Sequence, residues 1–214
     1  MEKSNRKLIN RIFYPLFKLG ARAEVHMYFG LPGCGKSSHA AYTVRKCVKR
    51  QIPVYSNVPI KGAKQLDIQN IDKYQYEFGS VFVIDEAGLE FCNRDYRSFP
   101  RYLMEFFKLH RHRGISIKLY SQGFDDADKK IRGVTARVYY VYRTGLFGGV
   151  TKAVRLKRQL VLDERTKEPM LAYTPIHWLN KLFPSFRFRP RKYFRYFESF
   201  TVDDSGKPYV VDKW

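Results

Sequence analysis

The residues with the most specific chemistry lie near the amino end. Gly30-Leu31-Pro32-Gly33-Cys34-Gly35-Lys36-Ser37 matches G-x-x-x-x-G-K-[ST] at every fixed position. This spacing suits a chain of phosphates. Glycines let successive backbone N–H groups turn inward onto phosphate oxygens without a side-chain clash. A helix beginning near Lys36 adds its positive dipole end. Lys36 supplies a mobile cation for the β- and γ-phosphates, and the Ser37 hydroxyl is a Mg²⁺ ligand. The expected cradle is Gly30, Leu31, Pro32, Gly33, Cys34, Gly35, Lys36, Ser37 and Ser38. ATP and Mg²⁺ are the cofactors it implies.

A second acidic feature follows. Val81-Phe82-Val83-Ile84-Asp85-Glu86 is an apolar run ending in two acids. A carboxylate at the carboxyl end of a parallel strand sits where ligands bind in such sheets. Asp85 is placed to hold Mg²⁺ through water. Glu86 is placed to polarise an attacking water as general base. Glutamate directly after the aspartate argues for hydrolysis over phosphorylation of a small metabolite. Ser121-Gln122 ends the next apolar run, where Gln122 can reach a γ-phosphate or orient water. Arg132 lies just beyond, on a short polar helix, and is the candidate arginine finger toward a neighbouring subunit's nucleotide. The stretch Leu109-His110-Arg111-His112-Arg113-Gly114 admits two readings: cations closing a helix, or a subunit-interface or γ-phosphate contact. His26 and His177 read as structural.

Regular elements must hold these groups. Val25–Phe29 reads as a strand, Gly30–Lys36 as a turn and Ser37–Arg50 as a helix. Val54–Val58 and Ser80–Asp85 read as strands, the second apolar enough to be buried on both faces. Phe99–Arg113 has a helical pattern ending at Gly114, a good C-cap. Ile115–Tyr120 is a strand, and Asp125–Ala136 a short helix with Asp125 or Asp126 near its N-cap. Val138–Tyr142 is a strand, and Val150–Asp163 reads as a hairpin partner beside Tyr139–Phe147. Alternating strands and helices give an α/β fold with a mainly parallel central sheet flanked by helices. The expected organisation is a basic amphipathic segment at 1–24, a nucleotide-binding core at 25–145 and a β-hairpin and basic aromatic extension at 146–214. In the first segment Leu8, Ile9, Ile12, Phe13, Leu16 and Phe17 share a helical face, suited either to packing on the core or to a membrane interface.

The composition narrows the partners. The chain has 214 residues, an apolar fraction of 44% and a charged fraction of 28%, which excludes a wholly disordered chain. A net charge of +20 points to a polyanion, either nucleic acid or an anionic membrane surface, beside the nucleotide itself. Cys34, Cys47 and Cys92 are odd in number and lack metal-ligand spacing, so reduced thiols and a cytoplasmic chain are expected. No run approaches about 18 uncharged apolar residues, so no membrane-spanning helix is expected. Between Trp178 and Phe200, Lys181, Arg187, Arg189, Arg191, Lys192 and Arg195 interleave with Phe186, Phe188, Tyr193, Phe194, Tyr196 and Phe197. Three readings stay open for this tail: stacking and phosphate contact with ssDNA, an anionic membrane surface, or rings packed in the core under a solvated cationic face.

In this order the motifs resemble the zonula occludens toxin (Zot) family, which includes the assembly ATPases of filamentous phages. Four stretches carry the resemblance: Tyr28 through Ala41, Val81 through Ala87, Leu109 through Gln122, and Lys130-Ile131-Arg132. Phe197-Glu198-Ser199-Phe200 is similar to an aromatic-x-Ser-aromatic stretch near the family domain's end. The resemblance spans about residues 25–200. It implies a P-loop NTPase domain of the additional-strand, catalytic-glutamate class, related to FtsK/HerA-type motors. It also implies a homo-oligomeric ATPase for virion assembly or extrusion, at the cytoplasmic face of the host inner membrane, with phage coat and assembly proteins and ssDNA as partners. Ser121 stands where the family pattern has Thr, one hydroxyl for another. Many family members continue into a transmembrane helix and an outer part. This sequence runs to Trp214 with neither, so membrane anchoring and toxin-like activity are not carried over. A different class of function is a non-hydrolysing nucleic-acid-binding scaffold that keeps ATP as a structural ligand. A kinase for a small metabolite is disfavoured by Glu86 and by the lack of a clear Arg-rich lid.

Overall fold

The computed structural model describes residues 23–87, 100–144, 149–162, 169–175 and 185–196; for 158–162, 169–173 and 175 it describes the backbone alone. The amphipathic segment expected over 1–24 falls almost wholly outside these residues. So do Cys92, Trp178, His177, Lys181 and the Phe197–Phe200 stretch.

Nine strands and three helices follow in order: β1 Val25–Phe29, α1 Lys36–Lys49, β2 Val54–Ser56, β3 Lys64–Gln65, β4 Val81–Ile84, α2 Arg101–Leu109, β5 Ser116–Ser121, α3 Lys129–Val134, β6 Arg137–Thr144, β7 Val150–Leu162, β8 Pro169–Pro175 and β9 Phe186–Phe188. A 3₁₀ segment, Pro190–Tyr196, closes the described chain. The strands form one sheet in the order β3-β2-β4-β5-β1-β6-β7-β8, with β9 also on β7. From β3 to β6 every pairing is parallel. β7 turns back antiparallel on β6, with Thr144 opposite Val150, as the hairpin pattern predicts. β8 and β9 both pair antiparallel with β7. One strand, β5, lies between β1 and β4, so a strand separates the phosphate loop from the acidic pair. The expected α/β P-loop fold of the additional-strand type is therefore the observed one.

Side chains alternate across this sheet with period two. On one face Val25, Met27, Phe82, Ile84, Ile117 and Leu119 pack against Leu103, Phe106 and Phe107 of α2 and Ile131 of α3. The other face presents Tyr28, Val83, Tyr120, Tyr139 and Val141 to α1. Ala40 and Ala41 of α1 are small enough to bring its backbone close to those rings, and both are fully buried. The aromatic layer is tightly ordered: Tyr28 stacks between Tyr120 at 5.0 Å and Tyr139 at 4.8 Å.

The tail joins the α1 side. Phe186 stacks on His39 at 3.9 Å and 6°, Phe188 lies parallel to Tyr42, and Arg45 sits over Tyr193 and Tyr196. These four tail rings are half-buried against the α1 side, while Phe194 and the cations Arg187, Arg189, Arg191, Lys192 and Arg195 are exposed. Among the described residues no helix is long and apolar enough to cross a membrane.

The short polar helix begins later than the pattern predicts, at Lys129, with Asp128 as its N-cap. Asp128 accepts from the Lys130 N–H at 2.7 Å. The two earlier aspartates are used elsewhere. Asp126 accepts from the Gly123 N–H and the Ser121 hydroxyl, closing the turn after β5. Asp125 pairs with Arg132. Local side-chain hydrogen bonds of this kind compete with helix initiation. The α2 helix is regular only over Arg101–Leu109, and the His-Arg-His-Arg run forms turns that end at Gly114, with φ +66°. His110 is buried with its Nδ1 against the Phe107 carbonyl, which fits the helix-closing reading of that histidine.

Candidate functional site

The phosphate loop leaves β1 at its carboxyl end and enters α1. Two of its glycines are fixed by close approach. A Cβ on Gly30 would lie 2.1 Å from the Val141 carbonyl oxygen on β6. A Cβ on Gly35, which also has φ +98°, would lie 2.4 Å from the Thr151 hydroxyl on β7. Thr151 is fully buried and donates to the Cys34 carbonyl at 2.9 Å, from beneath the loop. The Gly30 N–H donates to the Gln122 carbonyl at 3.2 Å, tying the loop to the end of β5. Leu31, Pro32 and Gly33 form the exposed crest, whereas Cys34 and Ser38 are buried. Burial pushes the Cys34 thiol up, so it is a packing residue and no thiolate nucleophile.

Lys36 Nζ donates to the Gly30 carbonyl at 2.7 Å and the Leu31 carbonyl at 3.0 Å. This holds the ammonium over the loop. Ser37 lies close enough to Asp85 to favour its charged form. Asp85 is 3% exposed at the end of β4. Burial raises its carboxyl above the usual range; Ser37, the Glu86 N–H and the Lys36 charge oppose that rise. A carboxylate and a hydroxyl are hard oxygen donors, and they fit Mg²⁺, which takes few protein ligands and completes its shell with phosphate and water. Ser37 and Asp85 would hold the ion.

The acidic pair has a support that its sequence pattern does not reveal. The Asn57 amide, just past β2, donates to the Asp85 carbonyl at 3.0 Å and accepts from the Asp85 N–H at 2.8 Å. One side chain thus mimics a strand and extends the sheet by a residue. Beyond it Glu86 turns with φ +52°, a left-handed conformation that a non-glycine residue adopts at a cost. The Glu86 N–H donates to the Asp85 carboxylate at 3.1 Å, and its side chain is exposed. A separate cavity of about 610 Å³, lined by Tyr55, Asn57, Asp67, Tyr74 and Tyr76, opens behind Asn57 and not over the phosphate loop.

The sheet order brings the loop, Asp85, Glu86 and Gln122 to the carboxyl ends of three neighbouring parallel strands. Arg132 stands differently. Its guanidinium lies over the Phe124 ring at 5.2 Å and pairs with Asp125, leaving it 21% exposed. Reaching a neighbouring subunit would require that pair to open. Sequence reasoning missed three contributors: Asn57, Thr151 and Arg143, whose Nη1 reaches the Gly33 carbonyl at 3.5 Å.

A family model described as zonular occludens toxin (Zot) matches residues 59–170, which include Asp85, Glu86, Gln122 and Arg132. The chain belongs to the Zot family. Among solved structures, this Zot-family chain is similar to the N-terminal domain of zonular occludens toxin from Neisseria meningitidis. The identity is 18%, the TM-score is 0.52, and the match covers 74% of this chain and 97% of the other. It is also similar to the genome packaging NTPase B204 from Sulfolobus turreted icosahedral virus 2 in complex with ATP-gammaS. There the identity is 13%, the TM-score is 0.45, and coverage is 73% and 100%. No curated protein matches the sequence.

Proposed function

We propose that this chain is a Mg²⁺-dependent ATPase that powers phage virion assembly, extrusion or DNA translocation at the host inner membrane. The observation that carries the reading is the phosphate loop closing β1, with Lys36 held over it by the Gly30 and Leu31 carbonyls and the buried Asp85 at the end of β4, one residue before Glu86. Bound Mg²⁺ supplies charge neutralisation at the β- and γ-phosphate oxygens. The chain's own groups do the rest. Lys36 leaves the Gly30 and Leu31 carbonyls for the phosphates, where it offsets negative charge. Gln122 orients the attacking water, and Glu86 takes its proton.

The role in phage assembly rests on family membership and on charge. Lys46 and Lys49 of α1 and its C-cap Arg50, with Arg187, Arg189, Arg191, Lys192 and Arg195, give this part of the molecule an exposed cationic surface suited to ssDNA or anionic lipid. A homo-oligomer, with Arg132 as the finger once released from Asp125, completes the proposal, and coat or assembly proteins are its further partners.

The test is ATP turnover with and without ssDNA, on wild type and on Glu86→Gln. Glu86→Gln keeps the size of the side chain and loses the base. ATP binding should persist and turnover should fall by about 10²–10⁴. Equal turnover in the two proteins refutes the assignment of Glu86. ATP binding by the wild type with no turnover in any condition favours the scaffold function instead.

A further inference from the structure

The loop has a second flank besides the one that carries Asp85 and Gln122. β4 and β5 lie on one side of β1, and β6 lies on the other. Arg143 sits near the carboxyl end of β6, at the level of the loop. Its Nη1 reaches the Gly33 carbonyl at 3.5 Å, and its side chain is exposed. Among the described residues no ion pair involves it. Gly149, with φ +43°, leaves room for it: a Cβ there would lie 3.2 Å from the Arg143 Cγ and Nε. The arginine is carried by rigid strands. Its cross-strand partner is Thr151, the residue that supports the loop from below through Cys34. The connected end of the β6–β7 hairpin, beside the Thr144–Val150 pair, therefore grips the phosphate loop with a hydroxyl underneath and presents a guanidinium beside the crest.

Resting on the ATPase reading above, we propose that Arg143 binds, from within the same subunit, the α/β-diphosphate shared by ATP and ADP. The direction follows from the order of strands. The end of the phosphate chain that is hydrolysed must lie toward Ser37, Asp85 and Glu86, on the β4 side. The nucleoside end then points to the β6 side, where Arg143 is. A guanidinium fixed there recognises the part of the nucleotide that hydrolysis leaves unchanged. Arg143 is a determinant of nucleotide affinity and does not sense the γ-phosphate.

The experiment measures equilibrium binding of Mg-ATP and Mg-ADP to the full chain, for wild type, Arg143→Gln, Arg143→Lys and Lys36→Ala. Losing a hydrogen bond to a charged group corresponds to about 10- to 100-fold in affinity. Arg143→Gln should weaken ATP and ADP by the same factor in that range, keeping their ratio at the wild-type value. Arg143→Lys should restore part of the loss, because charge returns without the planar fork. The melting temperature of the nucleotide-free protein should stay unchanged, since the side chain is exposed. Affinities within twofold of wild type overturn the proposal, and so does a loss confined to ATP, which would put Arg143 at the γ-phosphate. If wild type binds, Lys36→Ala does not and Arg143→Gln binds normally, the Arg143 assignment alone fails. If wild type binds neither nucleotide, the phosphate-loop reading fails as well.

Discussion

Glu86 gives a direct test of whether this site is strained for function. Its backbone has φ +52°, and its exposed side chain contributes little packing. Holding a non-glycine residue in that region costs about 1–2 kcal/mol. Glycine has no such penalty, but it loses more entropy on folding, about 0.4–1 kcal/mol relative to alanine. The difference predicts that Glu86→Gly is more stable than Glu86→Ala by about 0.8 kcal/mol at the middle of these ranges and about 1.6 kcal/mol at most. For a chain of this length each kcal/mol is a rise in Tm of about 2–4 °C. Both variants lack the carboxylate, so both should lose turnover to a similar extent. The assay is thermal unfolding of the two variants and wild type without nucleotide, alongside ATP turnover at saturation. The reasoning is refuted if the alanine variant is as stable as the glycine variant, or if either keeps wild-type turnover.

Other expectations concern the sheet around the site. Asn57→Ala removes both hydrogen bonds to the Asp85 backbone. It should cost about 1–3 kcal/mol in denaturant unfolding and lower turnover. Lys118 lies against His26 at 3.0 Å and Tyr28 at 3.4 Å, and burial lowers its pKa from 10.5 to about 8. At 1.36 kcal/mol per tenfold change in acidity, that is a cost of about 3 kcal/mol. The cost is fully present below pH 8, where folded and unfolded chains are both charged. It is relieved as pH rises from 8 to 10.5, where the unfolded chain alone holds the proton. Lys118→Met should therefore gain stability at pH 7, and the gap to wild type should close by pH 10.5. A gap that does not depend on pH counts against this account.

The sequence pattern was legible where one local rule sufficed. The phosphate loop, the apolar strand ending in Asp85-Glu86 and the hairpin after Thr144 each follow from spacing or alternation within one segment. What escaped were groups whose role depends on a partner far along the chain. Thr151 meets Cys34 across 117 positions, Arg143 meets Gly33 across 110, and Asn57 meets Asp85 across 28. Nothing next to Asn57 marks it out, because its two hydrogen bonds exist only once β2 and β4 are paired. The helix beginning at Lys129 shows a different failure. Asp125 and Asp126 carry the right chemistry for an N-cap, but a turn and an arginine claim them first. The interleaved tail shows a third. Alternation of cations and rings was equally compatible with nucleic acid, lipid and packing, until the apolar layer on α1 gave Phe186 and Phe188 something to stack on.

These long-range contacts change how the phosphate loop should be regarded. A phosphate loop is commonly pictured as a self-contained unit of strand, turn and helix, with its glycines present for backbone freedom alone. Here Gly30 and Gly35 are also points where β6 and β7 press against the loop, at 2.1 and 2.4 Å from where a Cβ would be. The loop is held on one flank by β5, through the Gln122 carbonyl, and on the other by an antiparallel hairpin. The β7 half of that flank lies outside the parallel core and beyond residue 144, so the chain after the core helps to shape the phosphate site. A shift of β7 against β6 would move Thr151, and Cys34 with it, relative to Arg143. Any partner that grips the hairpin or the tail strand β9, which pairs with β7 at Thr151–Ala153, thus has a mechanical path to the bound nucleotide.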